Sequence, residues 1–194
     1  MDQTTQYRLG AEVFATDGLC GEVTRIVVDP VHRTVTHLVV EPKHRFGLGR
    51  LLPVEVLDVT AERIQFRGDL AAFEAADSAE DSYFIKAADD WRGEGLVEPL
   101  PVVDDTLPGG EIALRPGDPV HATDGEIGSV QGFLADPSQH QVTHVLLREG
   151  HLLRRKEVAI PVDAIAGVDS GIRLNLTKQQ IEDLPAVDTE HPAG

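Results

Sequence analysis

The chain repeats itself. Ala15-Thr16-Asp17-Gly18 returns as Ala122-Thr123-Asp124-Gly125, an offset of 107 residues, and that offset holds without a gap to Val35-Thr36-His37 and Val142-Thr143-His144. Between positions 15 and 37 it gives 11 identities in 23 positions, among them Gly21/Gly128, Val23/Val130 and Asp29-Pro30/Asp136-Pro137. Leu52-Pro53-Val54 corresponds to Ile160-Pro161-Val162 at an offset of 108, and Arg63–Phe66 to Ile172–Leu176 more loosely. A unit of about 70 residues present only twice is too long and too sparse for a solenoid or a propeller blade, so two tandem domains are expected.

Each unit reads as short strands. Glu12-Val13-Phe14-Ala15 meets a turn at Asp17-Gly18 and is followed by Gly21 to Val28, the pattern of a hairpin with a glycine-containing turn that Asp29-Pro30 closes. Thr34 to Val40 is rich in β-branched residues, and Arg50–Val54, Val56–Val59 and Arg63–Phe66 complete five or six strands. So many strands in so few residues bury an apolar face most economically by curling into a small barrel. In the second unit Thr177-Lys178-Gln179-Gln180 is a capping box ahead of Ile181 and Leu184, with Pro185 as a stop, which predicts a short helix. Asp69 to Phe73 takes the same place in the first unit.

Composition divides the chain further. Residues 78–110 crowd Glu80, Asp81, Asp89, Asp90, Glu94, Glu98, Asp104 and Asp105 against Lys86 and Arg92, with Pro99, Pro101, Pro108 and Gly109-Gly110 as punctuation. This reads as an acidic linker whose Tyr83, Phe84, Ile85 and Trp91 are expected to pack on a barrel. The expected organisation is 1–77 for the first domain, 78–110 for the linker, 111–187 for the second domain and 188–194 for a loose tail. With 17 Lys+Arg against 33 Asp+Glu the net charge is −16, which argues against a non-specific grip on DNA, RNA or anionic lipid. No apolar run approaches 18 residues, the first residues lack the pattern of a signal peptide, and a lone Cys20 forms no internal disulfide. A cytoplasmic, non-membrane protein is expected.

The Ala-Thr-Asp-Gly turn, the following Gly-x-Val, the strand ended by Asp-Pro, the Val-Thr-His-Leu-Val-Val strand and the later Leu-Pro-Val together resemble the PRC-barrel family. That family is named for the photosynthetic reaction centre H subunit and also supplies the C-terminal domain of a bacterial ribosome-maturation factor. The resemblance covers residues 9–77 and 114–185. It implies an all-β architecture of two tandem small barrels, each followed by a short helix and used as a docking platform, with no shared catalytic constellation.

Few residues suggest chemistry. His37 and His144 recur at equivalent positions, but one histidine per barrel lacks the partners a metal needs. His140 and His144 are four apart, which on a strand is roughly 13 Å and too far to share an ion. Cys20 stands where the second copy has Ile127 and reads as a small core hydrophobe. Gly47-Leu48-Gly49 precedes a strand instead of a helix, so it cannot seat a pyrophosphate. Asp17, Asp124, Asp29 and Asp136 read as turn formers beside Gly or Pro. No catalytic, metal or cofactor site is expected.

The one feature with a partner in view is basic. Lys43, Arg45 and Arg50, with Arg148, Arg154, Arg155 and Lys156, place seven of the 17 bases in the same inter-strand loop of the two units. They read either as a solvated loop that blunts strand edges or as a site for an anionic partner, with Phe46, Leu48, Leu152 and Leu153 as apolar anchors. The expected role is non-enzymatic: a protein-binding or scaffold module, self-association included, such as a homodimer. An RNA- or ribosome-associated factor is the alternative.

Overall fold

The computed structural model describes residues 4–43, 49–60, 63–84, 101–105, 110–149, 156–168 and 171–187, of which 80–84, 101–105 and 149 by their backbone. The class is all-β. In chain order the first half gives β1 (Thr5–Arg8), β2 (Glu12–Phe14), β3 (Leu19–Asp29), β4 (Thr34–Glu41), β5 (Arg50–Pro53), a 3-10 turn at Val54–Val56, β6 (Leu57–Val59), β7 (Ile64–Phe66) and α1 (Leu70–Glu74). β8 (Glu80–Phe84) and β9 (Pro101–Asp105) pair antiparallel, so the acidic segment carries a two-stranded ribbon of its own, while the packing expected of Tyr83, Phe84, Ile85 and Trp91 lies outside the described side chains. The second half gives β10 (Ile112–Leu114), β11 (Pro119–Ala122), β12 (Gly125–Ala135), β13 (Val142–Glu149), β14 (Lys156–Pro161), a 3-10 turn at Val162–Ala164, β15 (Ile165–Val168), β16 (Ile172–Leu174) and α2 (Lys178–Glu182).

The two units share one topology. Strands run β5-β4-β3-β2-β7-β6 in the first sheet and β14-β13-β12-β11-β16-β15 in the second. β2 pairs parallel with β7, and β11 with β16; the other neighbours are antiparallel. The terminal strands β5 and β6 are consecutive in sequence and joined by three residues only, so the sheet has to curl until its two ends approach each other. β14 and β15 impose the same curl on the second sheet.

Each unit completes its sheet with a strand from the other. β1 does not join β2's sheet; it pairs with β12, Thr5 opposite Ala135 and Tyr7 opposite Phe133. β10 pairs with β3 in the matching register, Ile112 opposite Val28 and Leu114 opposite Ile26. Since Tyr7 and Leu114 are 107 positions apart, as are Ile26 and Phe133, the exchange is reciprocal and two-fold symmetric. The symmetry axis passes between Thr34 and Gln141, an antiparallel bridge flanked by Val35 N–H donating to the His140 carbonyl (3.0 Å) and Val142 N–H to the Arg33 carbonyl (2.8 Å). One apolar cluster therefore runs through both units and holds Tyr7, Ile26, Leu114 and Phe133 together. Each of the two halves, 1–77 and 111–187, thus gives one strand to the other's sheet.

The recurrent Ala-Thr-Asp-Gly does more than turn a hairpin. Thr177 and Gln180 form the capping box of α2, and Asp69 accepts from Ala72 N–H (2.7 Å) at the start of α1. The first-turn N–H groups that these caps leave over are taken from a distance: Asp17 accepts from Leu70 N–H (2.8 Å) and Asp124 from Lys178 N–H (2.9 Å). That bond ties each short helix across its unit to the turn between the first two strands. Phe73 and Ile181 are the buried residues that seat the helices.

Candidate interaction surface

β4 and β13 both start beside the symmetry axis, at Thr34 and Val142, and run away from it to Glu41 and Glu149. Seven steps of about 3.3 Å carry each strand roughly 23 Å, so Glu41 and Glu149 lie in opposite, symmetry-related directions from the axis. Arg45, Phe46, Leu48, Leu152, Leu153, Arg154 and Arg155 fall outside the described residues. Lys43, Arg50, Arg148 and Lys156 are described, and they differ in what holds them.

Lys43 bridges two carboxylates, with Nζ 2.6 Å from Glu12 Oε1 and 3.2 Å from Glu22 Oε1. Glu12 and Glu22 are directly opposite each other on β2 and β3, a like-charge pairing that destabilises a sheet unless a cation joins it. Hydrogen bonds to these two carboxylates raise the Lys43 ammonium pKa above its ordinary value. Arg50 opens β5 and donates to the Ala76 carbonyl (3.2 Å), just past α1. Lys156 opens β14 and donates to the carbonyls of Glu182 (2.7 Å) and Leu184 at the end of α2. A base at the first position of the edge strand thus satisfies helix-end carbonyls in both units, which complements the helix dipole as well. Arg148 is exposed and has no ion pair among the described residues. Of the four, it is the base left available to a partner.

No family model matches the chain. No curated protein matches it significantly either. Among the described residues no three His, Cys, Asp or Glu side chains converge as a metal site would require, and no helix is long and apolar enough to cross a membrane.

The histidines singled out by the repeat have unlike surroundings. His37 Nδ1 is 3.5 Å from Glu111 Oε2, both atoms buried without a hydrogen bond, so the histidine of one unit faces the residue that leads into the strand received from the other. His144 Nδ1 meets Thr143 Oγ1 at 3.1 Å. His140 Nδ1 instead bonds the Tyr7 hydroxyl at 2.7 Å, 133 positions away in sequence. Tyr7 is fully buried, and burial first, with the nearby Glu55 carboxylate second, pushes its pKa far up; the phenol stays protonated. Cys20 is buried, and its thiol is pushed up to about 11 by burial and then by Asp17, which leaves it inert. None of the sequence patterns pointed to Tyr7; the signal available was a lone aromatic between Gln6 and Arg8 at a position where the second copy has Leu114.

Asp29 and Asp136 open the turns beside the axis. The Asp29 carboxylate lies 2.6 Å from the His32 ring and accepts N–H bonds from Val31 (2.8 Å) and His32 (3.1 Å). Asp136 takes the Ser138 hydroxyl and the Ser138 and Gln139 N–H groups. The His32 side chain, then the backbone N–H groups, lower the Asp29 pKa; the Ser138 hydroxyl leads in lowering that of Asp136. A carboxyl with a lowered folded-state pKa stabilises the turn above the ordinary carboxylate value and loses that contribution as pH falls through the folded value. NMR titration of the side-chain carbons is therefore expected to give both aspartates midpoints below about 3.9, the value of a free aspartate. Midpoints at or above it would contradict these bonds.

Proposed function

We propose that this chain is a non-catalytic docking module, two PRC-type barrels locked back to back that present a basic, apolar-anchored loop at each end to an acidic protein surface in the cytoplasm. The observation that supports the reading is the two-fold symmetry: β4 and β13, the strands that precede these loops in sequence, run in opposite directions away from the Thr34–Gln141 bridge. A bivalent arrangement of this kind raises avidity through effective concentration without further contacts. The curl of each sheet and the motif resemblance of residues 9–77 and 114–185 support the barrel reading. Arg148, expected in the loop, lies instead within β13, opposite Ser129 and Glu157, and its exposed side chain supports a basic surface at the end of that strand.

The test is a charge reversal that spares Lys156, since that side chain holds the end of α2. Affinity capture from extract of the source cells, with nuclease treatment, compares the wild type with Arg148/Arg154/Arg155→Glu. Loss of a defined acidic protein partner, with thermal stability unchanged to within a few degrees, is the expected result. Loss of ribosomal proteins and RNA that nuclease abolishes would favour the ribosome-associated alternative, and identical capture by both proteins would reject the loop as a site.

A further inference from the structure

The surface between the units is isologous. Val35 N–H to the His140 carbonyl repeats as Val142 N–H to the Arg33 carbonyl, the β1–β12 register repeats in β10–β3, and Arg33 and His140 occupy equivalent turn positions with the same φ of 55°. Backbone geometry alone would let either unit pair with a copy of itself. Side chains break that equivalence. The buried Tyr7 hydroxyl is bonded to His140, whereas Leu114 and Arg33 hold the corresponding positions on the other side. Arg8, at the end of the same strand, is ion-paired with Glu157, whose counterpart across from β4 in the first unit is Gly49. Both contacts begin on β1, and the carboxy-terminal unit alone answers them.

Pairing of like with like would change these contacts. Two amino-terminal units would set each Tyr7 against Arg33 and each Arg8 against a residue without a side chain. Two carboxy-terminal units would leave the His140 nitrogen facing Leu114. We infer that the surface between the units is a selective binding site whose ligand is the unlike unit, held and chosen without the covalent connection, so that a second copy of this chain can supply either partner. This stands apart from the docking role of the basic loops, which lie at the other ends of the strands.

The experiment starts from the folded full-length chain carrying a protease site between Thr106 and Leu107. That position leaves β8 and β9 together on the amino-terminal fragment, so their ribbon cannot bridge the cut. After cleavage, native mass spectrometry is expected to find one 1:1 complex of about the parent mass, 21.0 kDa. Cut protein mixed with isotope-labelled cut protein, unfolded and refolded together, is expected to give labelled hybrids that all contain one fragment of each kind. Tyr7→Phe and Glu157→Gln, each checked for folding in the uncut chain, are expected to raise fragment dissociation about tenfold, the loss of one hydrogen bond or ion pair. Fragments that separate on cleavage would overturn the inference. So would complexes of two identical fragments in statistical proportion, or variants that dissociate no faster than the wild type.

Discussion

Deleting residues 1–9 is expected to weaken the carboxy-terminal unit more than the amino-terminal one. The deletion removes β1 from β12 and the fully buried Tyr7 from the shared core. Loss of a buried aromatic alone costs about 3–5 kcal/mol, and the edge of β12 at Gly132–Ala135 is left without its ladder partner. Hydrogen exchange should show protection falling across residues 130–135, far away in sequence, while β4 and β5 of the first unit keep theirs. The converse variant, Leu114→Ala, should cost about 2–5 kcal/mol and loosen Ile26 to Val28 of the first unit. If each change disturbed the unit to which it is adjacent in sequence, the exchange of strands would be wrong.

Gly21→Ala is expected to be as damaging as any single methyl in this protein. A Cβ at Gly21 would lie 1.9 Å from the Glu41 carbonyl oxygen and 2.5 Å from its carbon. Backbone sits on both sides of that approach, so no rotamer relieves it, and the β3–β4 ladder would have to open where Glu22 faces Glu41. Gly128 meets the Arg148 carbonyl oxygen at 2.1 Å in the same way. We expect each Gly→Ala change to cost more than about 3 kcal/mol, a fall in Tm of at least roughly 6–12 °C for a chain of this size. Gly10→Ala makes the control: open space surrounds its Cβ, and strain at its φ of +79° should cost only about 1–2 kcal/mol. Equal Tm values for Gly10→Ala and Gly21→Ala would refute the steric account.

The repeat, the strand pattern and both short helices were legible in the residues, because alternation, turn chemistry and caps are local signals. Thr177 with Gln180 marked α2, and the structure has the capping box there. The exchange of β1 and β10 was not legible. These strands have four and three residues, too short for an alternation to show, and in a repeated sequence any position that fits its own unit fits the other equally well. Only a non-local contact such as Tyr7 with His140 tells the two arrangements apart. The same limit applied at the surface. Seven bases in matching loops looked alike in sequence, yet Arg50 and Lys156 turn out to hold helix ends, since where a helix ends in space depends on the curl of the sheet beneath it. The aspartates of Ala-Thr-Asp-Gly were readable as turn residues, but the helix that each one caps lies 53 or 54 positions away.

The exchange also imposes an order on synthesis. Tyr7 leaves the ribosome 133 residues before the histidine it bonds, an interval of roughly 7–27 s at 5–20 residues per second. For most of that interval the amino-terminal sheet lacks β10, and throughout it the Tyr7 hydroxyl lacks its partner, so the nascent chain cannot finish one unit and then begin the next. Docking of the first strand is instead held back until His140 has been made. The first of the described strands to be made is then among the last to be seated.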